Sequence, residues 1–151
     1  MNAYKHRLVA VDLSDETQPI VERARDEAKL HGADMSLITV IKPLALSYGG
    51  TGYPMDYSPQ IAEIEAQIVE NSHAQMAKLG QSLDVPTERQ HIEIGNPAGE
   101  VRRAAETYRA DLIVVGSHGR HGLGLFLGST ANGVLHGCSV DVLVVRIRAK
   151  I

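Results

Sequence analysis

Leu8-Val9-Ala10-Val11, Leu112-Ile113-Val114-Val115 and Val142-Leu143-Val144-Val145 are apolar at every position. A strand with one wet face alternates. A strand apolar throughout is covered on both sides, as in a parallel sheet between two layers of helix. Two further runs suit the same sheet: 35–41, and a weaker one over 89–94 in which Ile92 and Ile94 alternate with Glu93. The first run ends at Asp12, the fourth in chain order at Gly116, and the last can continue to Ile147.

Stretches of helical period separate these runs. Ser14 is placed to cap a first helix, with Asp15 and Glu16 in an acidic first turn and Gly32 as its stop. Its buried side would be Ile20, Val21, Ala24 and Ala28. A second helix is expected over about 58–79, with the stripe Ile61, Ile64, Ile68, Met76 and Leu79, ended by Gly80. A third has Asn96 as cap and Pro97 at its first position, and buries Ala98, Val101, Ala105 and Tyr108. A fourth runs from about Gly128-Ser129 to His136. The order β-α-β-α-β-α-β-α-β implies an α/β fold with a five-stranded parallel sheet, helices on both faces and right-handed crossovers. The 151 residues fit one domain spanning 1–151. The connection over 42–57, rich in Tyr, Gly, Pro and Ser, is long for such a fold and reads as a lid or a loosely ordered loop.

Bulk properties narrow the function. Net charge is −3, and Lys and Arg form no run; the densest groups are Arg102-Arg103 and Arg146, Arg148, Lys150. With one Phe, five Tyr and no Trp, there is neither a basic stripe nor a base-stacking surface, which argues against a nucleic-acid partner. Cys138 is alone, so no disulfide framework or Cys-rich metal motif is expected. Nothing approaches the ~20 apolar residues of a membrane span, and the first residues lack the apolar core of a signal peptide. The expected setting is the cytoplasm, with no membrane partner.

In open α/β sheets ligands bind beyond the carboxyl ends of the strands, where the winding reverses. That places a crevice between Asp12 and Gly116. After the fourth strand comes Gly-Ser-His-Gly-Arg-His-Gly-Leu-Gly-Leu-Phe-Leu-Gly-Ser-Thr over 116–130, with five glycines in the thirteen residues 116–128. Glycines let successive N–H groups converge on an anion, and a helix starting at Ser129 adds unpaired donors and its positive dipole end. The hydroxyls of Ser129 and Thr130 add donors, and Arg120 is the one cation of the loop. The bland alternative is a loop that only turns. The pattern is not a Walker A loop, since no Lys follows Gly128, nor GxGxxG after a first strand.

Other features have two readings each. Asp12 either accepts local bonds at the start of the first helix or contacts a ligand. His118 and His121 have a spacing that suits a metal but no third ligand, so loop hydrogen bonds or a phosphate contact from His118 are preferred. Tyr48, Tyr53 and Tyr57 either cover a base or decorate a polar loop. Val142, Val144 and Ile147 are core, or an edge that pairs with a second copy. Cys138, near the end of the fourth helix, reads as packing. No nucleophile and base can be paired and no GxSxG is present, so a dedicated enzyme is not expected; slow hydrolysis of a bound phosphate compound is the most these residues suggest.

Gly116-x2-Gly119 followed by Gly128-Ser129 resembles the Gly-x2-Gly-x9-Gly-Ser/Thr signature of the universal stress protein family, with eight residues, 120–127, where that pattern has nine. Tyr4-Lys5-His6 with Val9-Ala10-Val11-Asp12-Leu13-Ser14 looks like the family's first strand and turn in its UspA-like form, and 140–146 like its last strand. The similarity covers nearly the whole chain, least around 42–60. It implies a Rossmann-like sheet of order 3-2-1-4-5, a homodimer joined through the last strand at Val142 and Val144, and a role in the stress response. Some members bind ATP and some do not. In binders, the residue matching Asp12 contacts the ribose, and the residue matching Val40 meets adenine through its backbone. Those matching Gly116, Gly119, Gly128, Ser129 and Thr130 hold the phosphates; Ala10, His118 and Arg120 are counted with them as cofactor-binding candidates. The expected ligand is therefore ATP, with or without Mg²⁺. The competing expectations are a nucleotide-free dimeric interaction protein and, further off, an adenylyl-transfer enzyme, for which His118-Gly119-Arg120-His121 supplies no matching motif.

Overall fold

The computed structural model describes residues 3–14, 17–44, 59–117 and 128–147. Five strands form one parallel sheet: β1 (His6–Ala10), β2 (Asp34–Ile41), β3 (Gln90–Ile94), β4 (Leu112–Gly116) and β5 (Asp141–Val145). Their order is β3-β2-β1-β4-β5, as expected. Among the described residues, four helices connect them: α1 (Thr17–His31), α2 (Pro59–Leu83), α3 (Pro97–Thr107) and α4 (Ser129–Gly137), with a short 3₁₀ turn at Thr87–Arg89 before β3.

Strand alternation divides the core into two layers. Val9, Leu37 and Val114 face α1 and α2 and pack with Ile20, Val21, Ala24 and Met76. Leu8, Ile38, Ile113 and Val115 face α3 and α4 and pack with Val101, Ala104, Ala131 and Val134. Each fully buried Val, Leu or Ile contributes about 1.5–3 kcal/mol of hydrophobic stabilisation, so the all-apolar strands hold both helical layers at once.

Three helices end the same way, and this corrects one expectation. After α1, Gly32 takes φ 60°, and the Ala33 amide donates to the Ala28 carbonyl. The same closing turn follows α2, with Asp84 at φ 56° and Val85 N–H on the Gly80 carbonyl, and α3, with Arg109 at φ 56° and Ala110 N–H on Ala105. These are left-handed helix caps. Gly80 does not terminate α2; Asp84 does, four residues later. Gly80 is a glycine because its missing side chain leaves room for Gln90, whose Nε2 would lie 2.0 Å from an added Cβ. Ile64, assigned to the buried stripe of α2, is instead 52% exposed. The remaining bounds shift by a few residues: β1 starts at His6 and stops at Ala10, although Val11 N–H still reaches the Ile38 carbonyl at 2.9 Å. Ser14 offers its carbonyl to Thr17 N–H at 3.0 Å, while its hydroxyl turns to Asp12. Asp15 and Glu16 lie outside the described residues.

The amino ends of β1 and β4 are fastened by one carboxylate. Asp111 accepts from the backbone N–H of Lys5 at 2.8 Å and of His6 at 2.9 Å. Partial burial pushes its pKa up, but these amides and the Arg7 charge outweigh that and hold it below the ordinary 3.8. A carboxylate with a depressed folded pKa stabilises above its unfolded pKa and loses that contribution as pH falls through the folded value. Asp111→Asn should therefore be less stable than the wild type at pH 7, and urea unfolding should show the gap closing below about pH 4. A gap independent of pH would contradict this account.

Candidate functional site

β1 and β4 are neighbours, but their chains leave the sheet toward opposite layers, α1 below and α4 above. The resulting cleft of about 640 Å³ lies at the carboxyl ends of the strands. It falls within the roughly 300–1,000 Å³ usual for small-molecule sites. Ala10, Asp12, Val40, Gly116, Gly128, Ser129 and Thr130, all singled out from sequence, line it together. His118, Gly119, Arg120 and His121 lie outside the described residues, as do Tyr48, Tyr53 and Tyr57.

Asp12 uses its carboxylate locally. One oxygen accepts from Ser14 N–H at 3.0 Å, from the Ser14 hydroxyl, and from the Thr17 hydroxyl at 3.1 Å. This fixes the turn through Leu13, which has φ 60°, and orients the exposed carboxylate at the rim of the cleft.

Gly116 has a different reason from the one its place in a glycine-rich loop suggests. A Cβ there would lie 2.5 Å from Ile147 Cδ1 and 2.7 Å from Ile20 Cδ1, so these two side chains fill the space. Ser117, not singled out from sequence, joins three segments. Its N–H donates to the Val145 carbonyl at 2.8 Å, its carbonyl accepts from Gly128 N–H, and its hydroxyl accepts from Ile147 N–H at 3.0 Å. Gly128 then caps α4 with ordinary extended dihedrals (φ −61°, ψ 157°) and no side chain to occupy the helix end. The first hydrogen bond closing α4 runs from Asn132 N–H to the Gly128 carbonyl. Helix geometry leaves Ser129, Thr130 and Ala131 N–H without intrahelical acceptors. They open, with the positive end of the helix dipole, at the cleft.

The cleft also has walls that the sequence reading missed: Thr39 from β2, Lys42 just beyond its end, Pro97 from the start of α3, and Ile68, Ser72 and Gln75 from α2. Ile68, Ser72 and Gln75 recur at helical spacing, the one sign that they share a face. Asp12 is the one carboxylate among the described lining residues. No group of three or more His, Cys, Asp or Glu among the described residues is placed to hold a metal.

A hydroxyl–imidazole pair does exist away from the cleft. His6 Nε2 lies 2.6 Å from Ser36 Oγ, and Nδ1 lies 3.1 Å from the Tyr108 carbonyl. The carbonyl can only accept, so the neutral ring donates from Nδ1 and accepts the Ser36 proton at Nε2. His91 stacks on Tyr108 with centroids 3.8 Å apart, and burial lowers its pKa. Ser36 is 1% exposed, so no substrate reaches it, and the pair serves packing.

At the far edge, β5 pairs with β4 on one side. Val142 and Val144 are half-buried against the α3–α4 layer, and Leu135 of α4 is 47% exposed. Cys138 Sγ donates to the Val140 carbonyl, in keeping with a packing role. No helix among the described residues is long and apolar enough to cross a membrane.

Residues 3–146 match the universal stress protein family. Universal stress protein A homolog 1 of Coxiella burnetii is 38% identical over 143 residues, covering 94% of this chain and 96% of that protein. The structure of universal stress protein UspA from Lactobacillus plantarum superposes with a TM-score of 0.79 at 23% identity, over 98% of this chain and all of the other. A universal stress protein solved in complex with cAMP gives 0.65 at 23% identity, covering 96% and 98%. Sequence match, sheet order and the glycines flanking the cleft agree, and the chain belongs to the universal stress protein family.

Proposed function

We propose that the protein is an adenine-nucleotide-binding module of the cellular stress response, with ATP as its ligand, working in the cytoplasm as a dimer joined along β5. The observation that carries the reading is the amino end of α4, which has no side-chain cap and where Ser129, Thr130 and Ala131 present donors to a cleft of ligand size. Phosphates suit that end by hydrogen bonding and by charge. From there a ribose reaches Asp12, already held in place by Ser14 and Thr17, and the base reaches Val40. Gly119, His118 and Arg120 complete the phosphate side in this reading. Any Mg²⁺ would arrive with the phosphates and find only Asp12 among the described lining carboxylates. The complex of a family relative with cAMP supports an adenine nucleotide as the ligand class. The half-buried Val142 and Val144 beside the exposed Leu135 support pairing along β5, which relieves an apolar edge. Among the described lining residues there is no nucleophile–base pair, and binding, not turnover, is the function read here.

Calorimetry with Mg·ATP tests it, using Ser129→Glu as the discriminating variant. Ser129 is exposed at the first position of α4, where a carboxylate favours the helix but repels a phosphate. The variant should keep its thermal stability and lose affinity about tenfold or more. No heat at millimolar ATP with the wild type overturns the reading in favour of a nucleotide-free dimeric interaction protein.

A further inference from the structure

α1 buries residues from its first turn to its last: Thr17, Ile20, Val21, Ala24 and Ala28. α2 is longer, yet its buried residues are Met76 and Gly80, both in its carboxyl third. That third is anchored. Leu79 and Leu83 pack on the same core as Met76, and the Gln90 side chain, lodged against Gly80, donates to the Val85 carbonyl at 2.9 Å. Over 59–75 no residue is buried, and Ile64 is 52% exposed. This thinly packed part nevertheless forms a wall of the cleft, through Ile68 and Ser72. It is also tied to the chain leaving β2, because the Leu44 N–H donates to Glu65 Oε1 at 2.9 Å.

We infer that residues 59–75 of α2 are a moving wall of the cleft, which swings about the anchor at Met76 and Gly80 and closes over the bound nucleotide. That the ligand is a nucleotide rests on the reading above. Segments with few buried contacts open at low cost in free energy, and a helix held at one end moves as a lever. At a rise of 1.5 Å per residue, Ile64 lies about 18 Å along the helix from Met76, so a tilt of about 10° carries it about 3 Å. The direction follows from the apolar side chains. Ile64 lies one turn before Ile68 on the same side of the helix. An inward swing takes both from water toward Ile20 and Ile41 across the cleft, and burial of apolar surface favours it. Water in the cleft gives that face nothing to close on, whereas a bound ring and sugar do. The bond from Leu44 to Glu65 limits how far the wall opens.

Hydrogen exchange read by mass spectrometry tests the inference. In the ligand-free protein the amides of 63–75 should exchange about tenfold or more faster than those of 76–83, and saturating Mg·ATP should slow the 63–75 set about fivefold or more. A closing wall governs release. Glu65→Ala should therefore raise the ATP off-rate about threefold or more with little change in on-rate. Ile64→Gln should do the same, while the melting temperature of the ligand-free protein stays within about 2 °C of wild type, since this side chain is exposed until the wall closes. Even exchange along the whole of α2, no slowing of 63–75 by ATP, or wild-type off-rates in both variants overturns the inference and leaves the nucleotide reading intact. Failure of the wild type to bind ATP overturns the nucleotide reading, and the closure falls with it.

Discussion

Arg7→Ala is expected to lower stability by about 3–5 kcal/mol, measured by urea unfolding at pH 7. Arg7 is 0% exposed in a strand at the centre of the sheet. Its guanidinium donates to the Tyr4 carbonyl at 3.1 Å and to the Glu27 carbonyl at 3.2 Å, with the Glu27 carboxylate at 3.5 Å. The charge lies near the carboxyl end of α1, where a cation is favoured, and 5.9 Å from the Tyr4 ring centroid. Truncation removes a large side chain and strips partners from buried carbonyls together. Tyr4 in turn donates its hydroxyl to Asp141 at 2.6 Å, so the N-terminal segment, α1 and β5 all loosen. Arg7→Met keeps most of the volume and should recover about half of the loss. A loss below ~1 kcal/mol for Arg7→Ala would show that the guanidinium is not the fastening it looks to be.

The second large effect is Gly116→Val, expected to destabilise by about 2–3 kcal/mol through overpacking against Ile20 and Ile147. Both obstructing atoms are terminal methyl groups, so relief should come from trimming them. Combined with Ile147→Val or Ile20→Ala, the substitution should recover about 1 kcal/mol or more of coupling energy in a double-mutant cycle. A simple sum of the two losses would refute the packing account. Gly116→Val is consequently a poor probe of ligand binding, since it perturbs the floor of the cleft, whereas Ser129→Glu leaves the core untouched.

Much of the sheet was legible because its strands are apolar on both faces and so cannot be anything but covered. The 8–11, 112–115 and 142–145 runs fell within two residues of the observed strands, and the strand order followed from the family resemblance. Helix ends were harder. Gly32 stopped α1 as glycines do, but Asp84 and Arg109 also take left-handed dihedrals; Asp enters that region only occasionally and Arg is not favoured there, so residue type alone did not mark these ends. Of the cleft, Asp12, Gly116 and the start of α4 were legible because topology places strand ends and helix starts there, while Val40 came from the family resemblance. Thr39, Lys42, Ser72 and Gln75 were not. They meet only when α2 folds back over β2, and nothing in their local sequence records that. Gly116 was found for its position, and its physical reason, the Ile20 and Ile147 methyl groups, appeared only with the packing.

The pairing of β1 with β4 matches Arg7 to Leu112 and Val9 to Val114, residues that leave a ribosome far apart in time. Contacts so distant along the chain form slowly and late. β1 and β2 are made well before the opposite wall of the cleft, at Gly128–Thr130. A chain whose synthesis has not passed residue 130 therefore cannot present the site. Whatever the cleft holds, it is held only once both walls exist, and occupancy reports that the chain has grown past the start of α4.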